Sequence, residues 1–130
     1  MQENFLVEII SPDKSVLKTE TAEVIIPSYE GQMGILRDHI ALITFLRPGL
    51  ITIKENSKDN FFFVEDGIVE FSNNNLLILT STAKSLNDLD KNSINEIIKI
   101  SQEKISKSEI SDKERYLLSY KIDTLREINK

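Results

Sequence analysis

From Phe5 to about Leu86 the apolar positions fall in short runs of β-branched and aromatic residues, broken by turn formers every eight to twelve positions. That texture predicts the strands of a sandwich or barrel. The runs that can be delimited are Phe5–Ile10, Ser15–Thr19, Ala22–Pro27, Met33–Leu36, Ala41–Leu46, Leu50–Glu55, Phe61–Glu65, Gly67–Phe71 and Leu76–Ser81. Asn73-Asn74-Asn75 separates the last two and predicts a hairpin, because asparagine tolerates the positive φ that tight β-turns demand. Pro48-Gly49 marks another break, after which Leu50, Thr52 and Lys54 alternate in face with Ile51, Ile53 and Glu55.

After Asn87 the period changes. Ile94, Ile97, Ile98 and Ile105 lie at helical spacing, and Ser93 with Glu96 reads as a capping box, which predicts a helix from about Ser93 to Ile105. Ser106-Lys107-Ser108 interrupts the pattern. Ser111 with Glu114 then forms a second box ahead of Leu117, Leu118, Ile122, Leu125 and Ile128. Two helices around a short polar connector predict an antiparallel hairpin. Glu103 with Lys107 and Glu109 with Lys113 place acid four positions before base, worth ~0.3–0.5 kcal/mol a pair. Helices of this size sit near the ~12–15-residue limit of independent stability, so they depend on what they pack against.

The fold class is therefore α+β: an N-terminal antiparallel β-sandwich of about ten strands over residues 1–86, followed by a C-terminal antiparallel helical hairpin over residues 87–130. A chain of 130 residues supports one modest core. Its 40% apolar and 28% charged residues suit a folded globule. Charge separates the two parts: residues 1–86 hold seven bases and twelve acids, net −5, and residues 87–130 hold nine of each, net 0. An acidic balance argues against nucleic-acid binding by phosphate neutralisation and against a polybasic membrane anchor. No apolar run approaches the ~20 residues of a membrane helix, so direct membrane insertion is not expected. The start, Met-Gln-Glu-Asn, carries acid where a signal peptide carries base, which predicts a soluble, cytosolic chain.

Candidate chemistry is sparse. The chain has no cysteine, which excludes disulfides, thiolate metal sites and cysteine nucleophiles. Gly31-Gln32-Met33-Gly34 lacks the third glycine and the lysine of a phosphate cradle. His39 beside Asp38 reads as a turn histidine held by a hydrogen bond, or as a catalytic imidazole; the first is preferred, because serine, histidine and acid combinations are too numerous to carry information. Asp88 and Asp90 read as negative charge at a helix start rather than as metal ligands, since no histidine or third acid lies nearby in sequence. Phe61-Phe62-Phe63 reads as core packing; base stacking is the alternative, opposed by Asp59, Glu65 and Asp66. No catalytic residue, cofactor or metal is expected.

Read in order, the segments resemble the epsilon subunit of bacterial and organellar F-type ATP synthases. Phe5-Leu6-Val7-Glu8-Ile9-Ile10-Ser11-Pro12 is similar to that family's opening strand and turn. Glu30-Gly31-Gln32-Met33-Gly34-Ile35-Leu36-Arg37-Asp38-His39, then Leu42-Ile43-Thr44-Phe45-Leu46-Arg47-Pro48-Gly49-Leu50-Ile51, resemble its glycine, histidine and proline-glycine signature. Phe62 to Phe71, Leu76 to Leu79 and the helical hairpin follow in the family's order. The chain departs from the pattern where the family has Pro-Gly-His-Ala-Pro and this sequence has Arg37-Asp38-His39-Ile40-Ala41, and where a family glycine pair is reduced to Asp66-Gly67. Some members bind ATP at the hairpin through Ile/Leu-Asp-x-x-Arg-Ala. Here Leu89-Asp90 is followed by Ser93 in the arginine's place, so ATP binding is not expected.

The resemblance implies a non-catalytic rotor subunit that couples proton flow through the c-ring to ATP synthesis, with the gamma subunit and the c-ring as partners, peripheral to the cytoplasmic face of the bacterial inner membrane. It implies a c-ring and gamma interface of Tyr29, Glu30, Gly31, Gln32, Met33, Gly34, Arg37, Asp38 and His39. It also implies transient contact of the hairpin with the beta subunit through Lys113, Arg115, Lys121 and Arg126. Two alternatives stand beside it: a chain that is mainly an inhibitor of ATP hydrolysis through its hairpin, and an unrelated β-sandwich interaction module.

Overall fold

The computed structural model describes residues 3–56, 58–107 and 109–129. The chain divides into two compact units, Met1–Leu86 and Asn87–Lys130. The first carries ten strands: β1 (Phe5–Ser11), β2 (Lys14–Thr21), β3 (Glu23–Ser28), β4 (Gly31–Leu36), β5 (Leu42–Leu46), β6 (Gly49–Lys54), β7 (Asp59–Val64), β8 (Gly67–Ser72), β9 (Asn75–Leu79) and β10 (Ala83–Ser85). Only β10 escapes the sequence pattern. Its three residues carry no apolar alternation, and it forms by pairing Ala83–Ser85 with Val64–Phe62 of β7.

Hydrogen bonding follows the path β10-β7-β6-β3-β5-β8-β9-β1-β2, with β4 on the remaining edge of β3. β4 fills that edge from Glu23 opposite Leu36 to Ser28 opposite Gly31. The other edge of β3 is shared: Val24 and Ile25 pair with Ile53 and Thr52 of β6, while Ser28 pairs with Leu46 of β5. The path therefore folds at Ser28 into two layers, β4-β3-β6-β7-β10 and β5-β8-β9-β1-β2. Arg47-Pro48 carries the chain from one layer to the other. There the Arg47 N–H donates to the Pro27 carbonyl (3.0 Å) and the Tyr29 N–H to the Phe45 carbonyl (3.1 Å).

All pairings are antiparallel except β1 with β9, which run parallel from Leu6 opposite Asn75 to Ile10 opposite Leu79. This departs from the all-antiparallel expectation. A parallel pair needs a long connection, and most of the unit separates these strands. Between the layers lie Phe5, Val7, Ile9, Val24, Ile26, Ile35, Leu46, Ile51, Ile53, Phe62, Val64, Val69, Phe71, Leu76 and Ile78. These are alternate positions along their strands, as period-two burial requires. Phe63, on the other side of β7 from Phe62, is buried too, which agrees with the packing reading of the phenylalanine run. Asn73 and Asn74 have φ of 51° and 58°, so the two-residue turn between β8 and β9 has both central residues left-handed, as a type I′ hairpin needs. Gly67, at φ +156°, admits no side chain: a Cβ there would lie 2.8 Å from the Leu79 carbonyl oxygen and 2.9 Å from Leu46 Cδ1.

A short 3-10 turn, Leu86–Asp88, leads from the first unit into the second, which carries α1 (Lys91–Ile105) and α2 (Asp112–Ile128). α1 starts earlier than the Ser93–Glu96 box predicts. Its N-cap is Asp90, whose Oδ1 accepts the Ser93 N–H at 2.7 Å. A charged acceptor facing the positive end of the helix outcompetes a serine hydroxyl, and the earlier start adds helical bonds such as Ile94 N–H to the Asp90 carbonyl. The second box holds as read: Ser111 caps α2 and its Oγ accepts the Glu114 N–H at 3.1 Å. The helices are antiparallel. Asn129 Nδ2 donates to Asn95 Oδ1 (2.8 Å) at one end, and Arg115 reaches the last carbonyls of α1 at the other. Of the connector Ser106-Lys107-Ser108, Ser108 lies outside the described residues.

A chain ending at Leu86 is expected to unfold in one cooperative transition. The apolar cluster between the layers is built from β1, β3 to β9 and their neighbours, with no helical residue in it. A denaturant titration followed by aromatic fluorescence checks this. A molten or insoluble product would place the boundary elsewhere.

Candidate docking site

The β3–β4 turn is organised by Ser28, which is fully buried. Its hydroxyl donates to the Gly31 carbonyl (2.7 Å) and accepts the Glu30 N–H (3.2 Å). Gly31 turns at φ +120°, a conformation that side chains disfavour. Tyr29 and Glu30 are thereby held at the surface. Along β4, Gln32, Gly34 and Leu36 face outward, while Ile35 is buried and Met33 packs against the core.

The residues grouped by sequence as one contact segment do not gather at one place. β4 has six residues, about 20 Å at the usual strand rise. Tyr29, Glu30 and Gly31 stand at one end of it, and Arg37, Asp38 and His39 at the other. The register agrees: Ser28 pairs with Leu46, and Leu46 with Gly67, at the first end, whereas Leu42 opposite Phe71 and Ser72 opposite Asn75 belong to the second.

At the second end Asp38, where the resemblance implies a glycine, has a left-handed φ of 67°. Its N–H donates to Asn74 Oδ1 (2.7 Å), and Asn74 Nδ2 donates back to Asp38 Oδ1 (3.0 Å). Arg37 Nη1 donates to the Asn4 carbonyl at 2.6 Å. His39 is a turn histidine: its N–H donates to the Leu36 carbonyl (3.1 Å), its Nδ1 lies 2.7 Å from the Ile40 carbonyl, and its ring meets Phe71 edge-on. These three side chains are committed to holding the turn.

At the first end lies a surface that sequence reading missed. Phe45 of β5 pairs with Ile68 of β8, Ile68 with Leu79 of β9, and Leu79 with Ile10 of β1. The four make an apolar row across four strands on the outer face. Phe45, Ile68 and Leu79 are 54%, 45% and 43% exposed, far more than side chains of a closed core. The row lines an open groove of about 610 Å³ together with Pro12, Tyr29, Leu46, Gly67 and Thr80. Asp66, where the family's first glycine is absent, shapes the rim: its carboxylate accepts the Ser81 N–H (2.9 Å) and the Ser81 hydroxyl (2.8 Å), and its carbonyl accepts the Thr80 hydroxyl (2.7 Å). The signal was present in Leu42-Ile43-Thr44-Phe45-Leu46, which is apolar on both faces and so needs cover on both.

The hairpin bases are also dispersed. At 100° per residue, Arg115 and Arg126 share a side of α2, whereas Lys113 and Lys121 project about 160° and 120° away from Arg115. Asp90, one of the acids weighed as a ligand, serves as the α1 cap. Among the described residues no three histidine or acidic side chains gather as a metal set.

The unit is a β-sandwich with an exposed apolar groove beside a turn fixed by a buried hydroxyl. Residues 4–85 match the family described as the ATP synthase, Delta/Epsilon chain, beta-sandwich domain. The chain is 47% identical over 130 residues to the ATP synthase epsilon chain of Pelagibacter ubique (strain HTCC1062), covering 99% of this chain and 100% of the relative. It is 33% identical over 90 residues to that of Lawsonia intracellularis, covering 69% and 68%. In fold it is similar to a chain of the Euglena gracilis mitochondrial ATP synthase OSCP/F1/c-ring structure, with TM-score 0.77, 19% identity and coverage of 97% and 79%. It is similar also to a chain of the Tetrahymena thermophila mitochondrial ATP synthase central stalk/c-ring, with TM-score 0.65, 13% identity and coverage of 96% and 96%. The chain belongs to the ATP synthase delta/epsilon family, on its epsilon side. The reading as an unrelated sandwich module is thereby set aside. No helix among the described residues is long and apolar enough to cross a membrane.

Two outcomes are expected. Asp38→Gly keeps the left-handed turn and the backbone N–H bond to Asn74 and loses only the Asn74 Nδ2 bond to the carboxylate, a cost of about 1 kcal/mol, whereas Asp38→Val adds about 1–2 kcal/mol of backbone strain; denaturation midpoints of the two variants check the difference. The Ser93 backbone N–H, then the Ser93 side chain, hold the Asp90 carboxyl below the ordinary aspartate range. A depressed carboxyl stabilises α1 above its unfolded pKa, about 3.9, and the contribution is lost as pH falls through the native value. An NMR titration is expected to show the Ser93 amide shift moving with an Asp90 midpoint below that of an unfolded aspartate.

Proposed function

We propose that this chain couples the central stalk of an F-type ATP synthase to its c-ring, docking through the Tyr29 end of the sandwich. The observation that carries the reading is the apolar row in register on four strands, with Phe45, Ile68 and Leu79 exposed and Ile10 half-buried beside them. A soluble domain gains by covering such a row, since each large apolar side chain buried contributes ~1.5–3 kcal/mol before association costs are met. In this reading the groove takes the gamma subunit. The neighbouring turn, Tyr29 to Gly31, with outward Gln32 and Gly34, meets the polar loops of the c-ring.

Arg37, Asp38 and His39 lie at the opposite end and serve the body of the sandwich rather than this contact. A stalk subunit needs a stiff body, and strands paired along a continuous path meet that need. The hairpin is a separate unit that reaches the beta subunit transiently, and the assembly places the chain on the cytoplasmic face of the bacterial inner membrane. Residues 1–86 are the docking domain and residues 87–130 the regulatory tail.

The paired change Phe45→Ser and Ile68→Ser is expected to leave the unfolding midpoint of the isolated chain nearly unchanged, because both side chains are exposed, and to abolish copurification with gamma from solubilised membranes. Glu30→Lys is expected to weaken c-ring association alone, and Asp38→Gly to assemble normally. Full assembly by the groove variant would move the docking face elsewhere.

A further inference from the structure

The connector between α1 and α2 holds a charged contact that satisfies α1's terminal carbonyl from the other helix. At the end of α1, the Ser106 N–H donates to the Gln102 carbonyl (3.1 Å), the Ser106 hydroxyl to that of Glu103 (2.8 Å) and the Lys107 N–H to that of Lys104 (3.2 Å). The Ile105 and Lys107 carbonyls are instead met from the other helix. Arg115 Nη1 donates to the first at 2.6 Å and Nη2 to the second at 3.3 Å. Arg115 stands in the first turn of α2, where its own N–H is fixed on the Ser111 carbonyl (3.0 Å) and its carbonyl accepts the Ser119 hydroxyl (2.9 Å). A cation at the carbonyl end of a helix also faces the negative end of the helix dipole.

We infer that Arg115 is the latch of the hairpin: one planar guanidinium that bridges the end of α1 to the start of α2, and that must leave both carbonyls whenever the helices separate. Separation frees the guanidinium from both carbonyls, so opening the hairpin costs these bonds even though Arg115 stands at the solvent-exposed surface while the hairpin is closed. Nothing in the sequence marks it off from Lys113, Lys121 and Arg126.

The absence of cysteine makes the test direct. Amide hydrogen exchange of the full chain is compared for the wild type, Arg115→Gln and Arg115→Lys, each also with Asn95→Cys and Asn129→Cys joined by a short bismaleimide. Those two positions hydrogen-bond at the far end of the hairpin. Arg115→Gln is expected to speed exchange about tenfold, the size expected for losing charge-assisted hydrogen bonds. The increase is expected along both helices, with the sandwich amides unmoved. Arg115→Lys retains part of the protection, because an ammonium lacks the fork that spans two carbonyls. The far-end cross-link is expected to restore Arg115→Gln to within about twofold of wild type. Acceleration confined to Ser106 and Lys107 that persists in the cross-linked chain would reduce Arg115 to a local cap and overturn the latch, as would unchanged exchange. The regulatory consequence rests on the reading that the hairpin engages the catalytic head. In the assembled enzyme, Arg115→Gln and the cross-link are then expected to shift ATP hydrolysis in opposite directions. Hydrolysis unmoved by either, with the exchange pattern as expected, would count against that reading and leave the latch standing.

Discussion

The architecture of the sandwich depends on how β3 divides one of its edges. A strand has two edges, and β3 gives one wholly to β4 while splitting the other between β6 and β5. The split falls at Ser28, whose backbone meets Leu46 in the second layer and whose hydroxyl closes the turn into β4. The burial of that hydroxyl is tolerable because it both donates and accepts. Layer assignment, the Arg47-Pro48 crossing and the position of Tyr29 beside the groove all follow from this one strand.

Much of the fold was legible because period-two burial leaves a direct trace in sequence. Ile51 and Ile53 alternate inward against Leu50 and Thr52 as their pattern requires. β10 left no trace, since Ala83-Lys84-Ser85 is set by its partner β7 and not by its own pattern. At α1 two overlapping boxes compete, Asp90 with Ser93 and Ser93 with Glu96, and local spacing does not choose between them. The choice is made by the stronger cap, a carboxylate in the field of the helix.

The site was less legible, and for a geometric reason. Tyr29 and Asp38 are nine positions apart, which in a loop means proximity. With β4 between them, the same nine positions become a strand's length of separation. Conversely Phe45, Ile68, Leu79 and Ile10 are scattered along the chain and become neighbours only through three strand registers. Docking rows on sheets have this property in general: the period that reveals a strand says nothing about which strands stand side by side. A resemblance to a family preserves the order of motifs but inherits the same blindness.

The departure from the family pattern at Arg37 and Asp38 has a mechanical sense. The Asp38–Asn74 clasp and the Arg37 bond to the Asn4 carbonyl both run from the end of β4 to the layer that contains β1, β8 and β9. The opposite end is already joined by the Ser28–Leu46 pairing. Layers held together by apolar packing alone resist being pulled apart but slide with little penalty, because packing has no preferred direction within the plane. Directional hydrogen bonds at both ends oppose that sliding. A body tied in this way transmits a twisting load from one face to the other without first shearing internally, and its stiffness in shear is set by a few polar groups at the rims while its cohesion is set by the core.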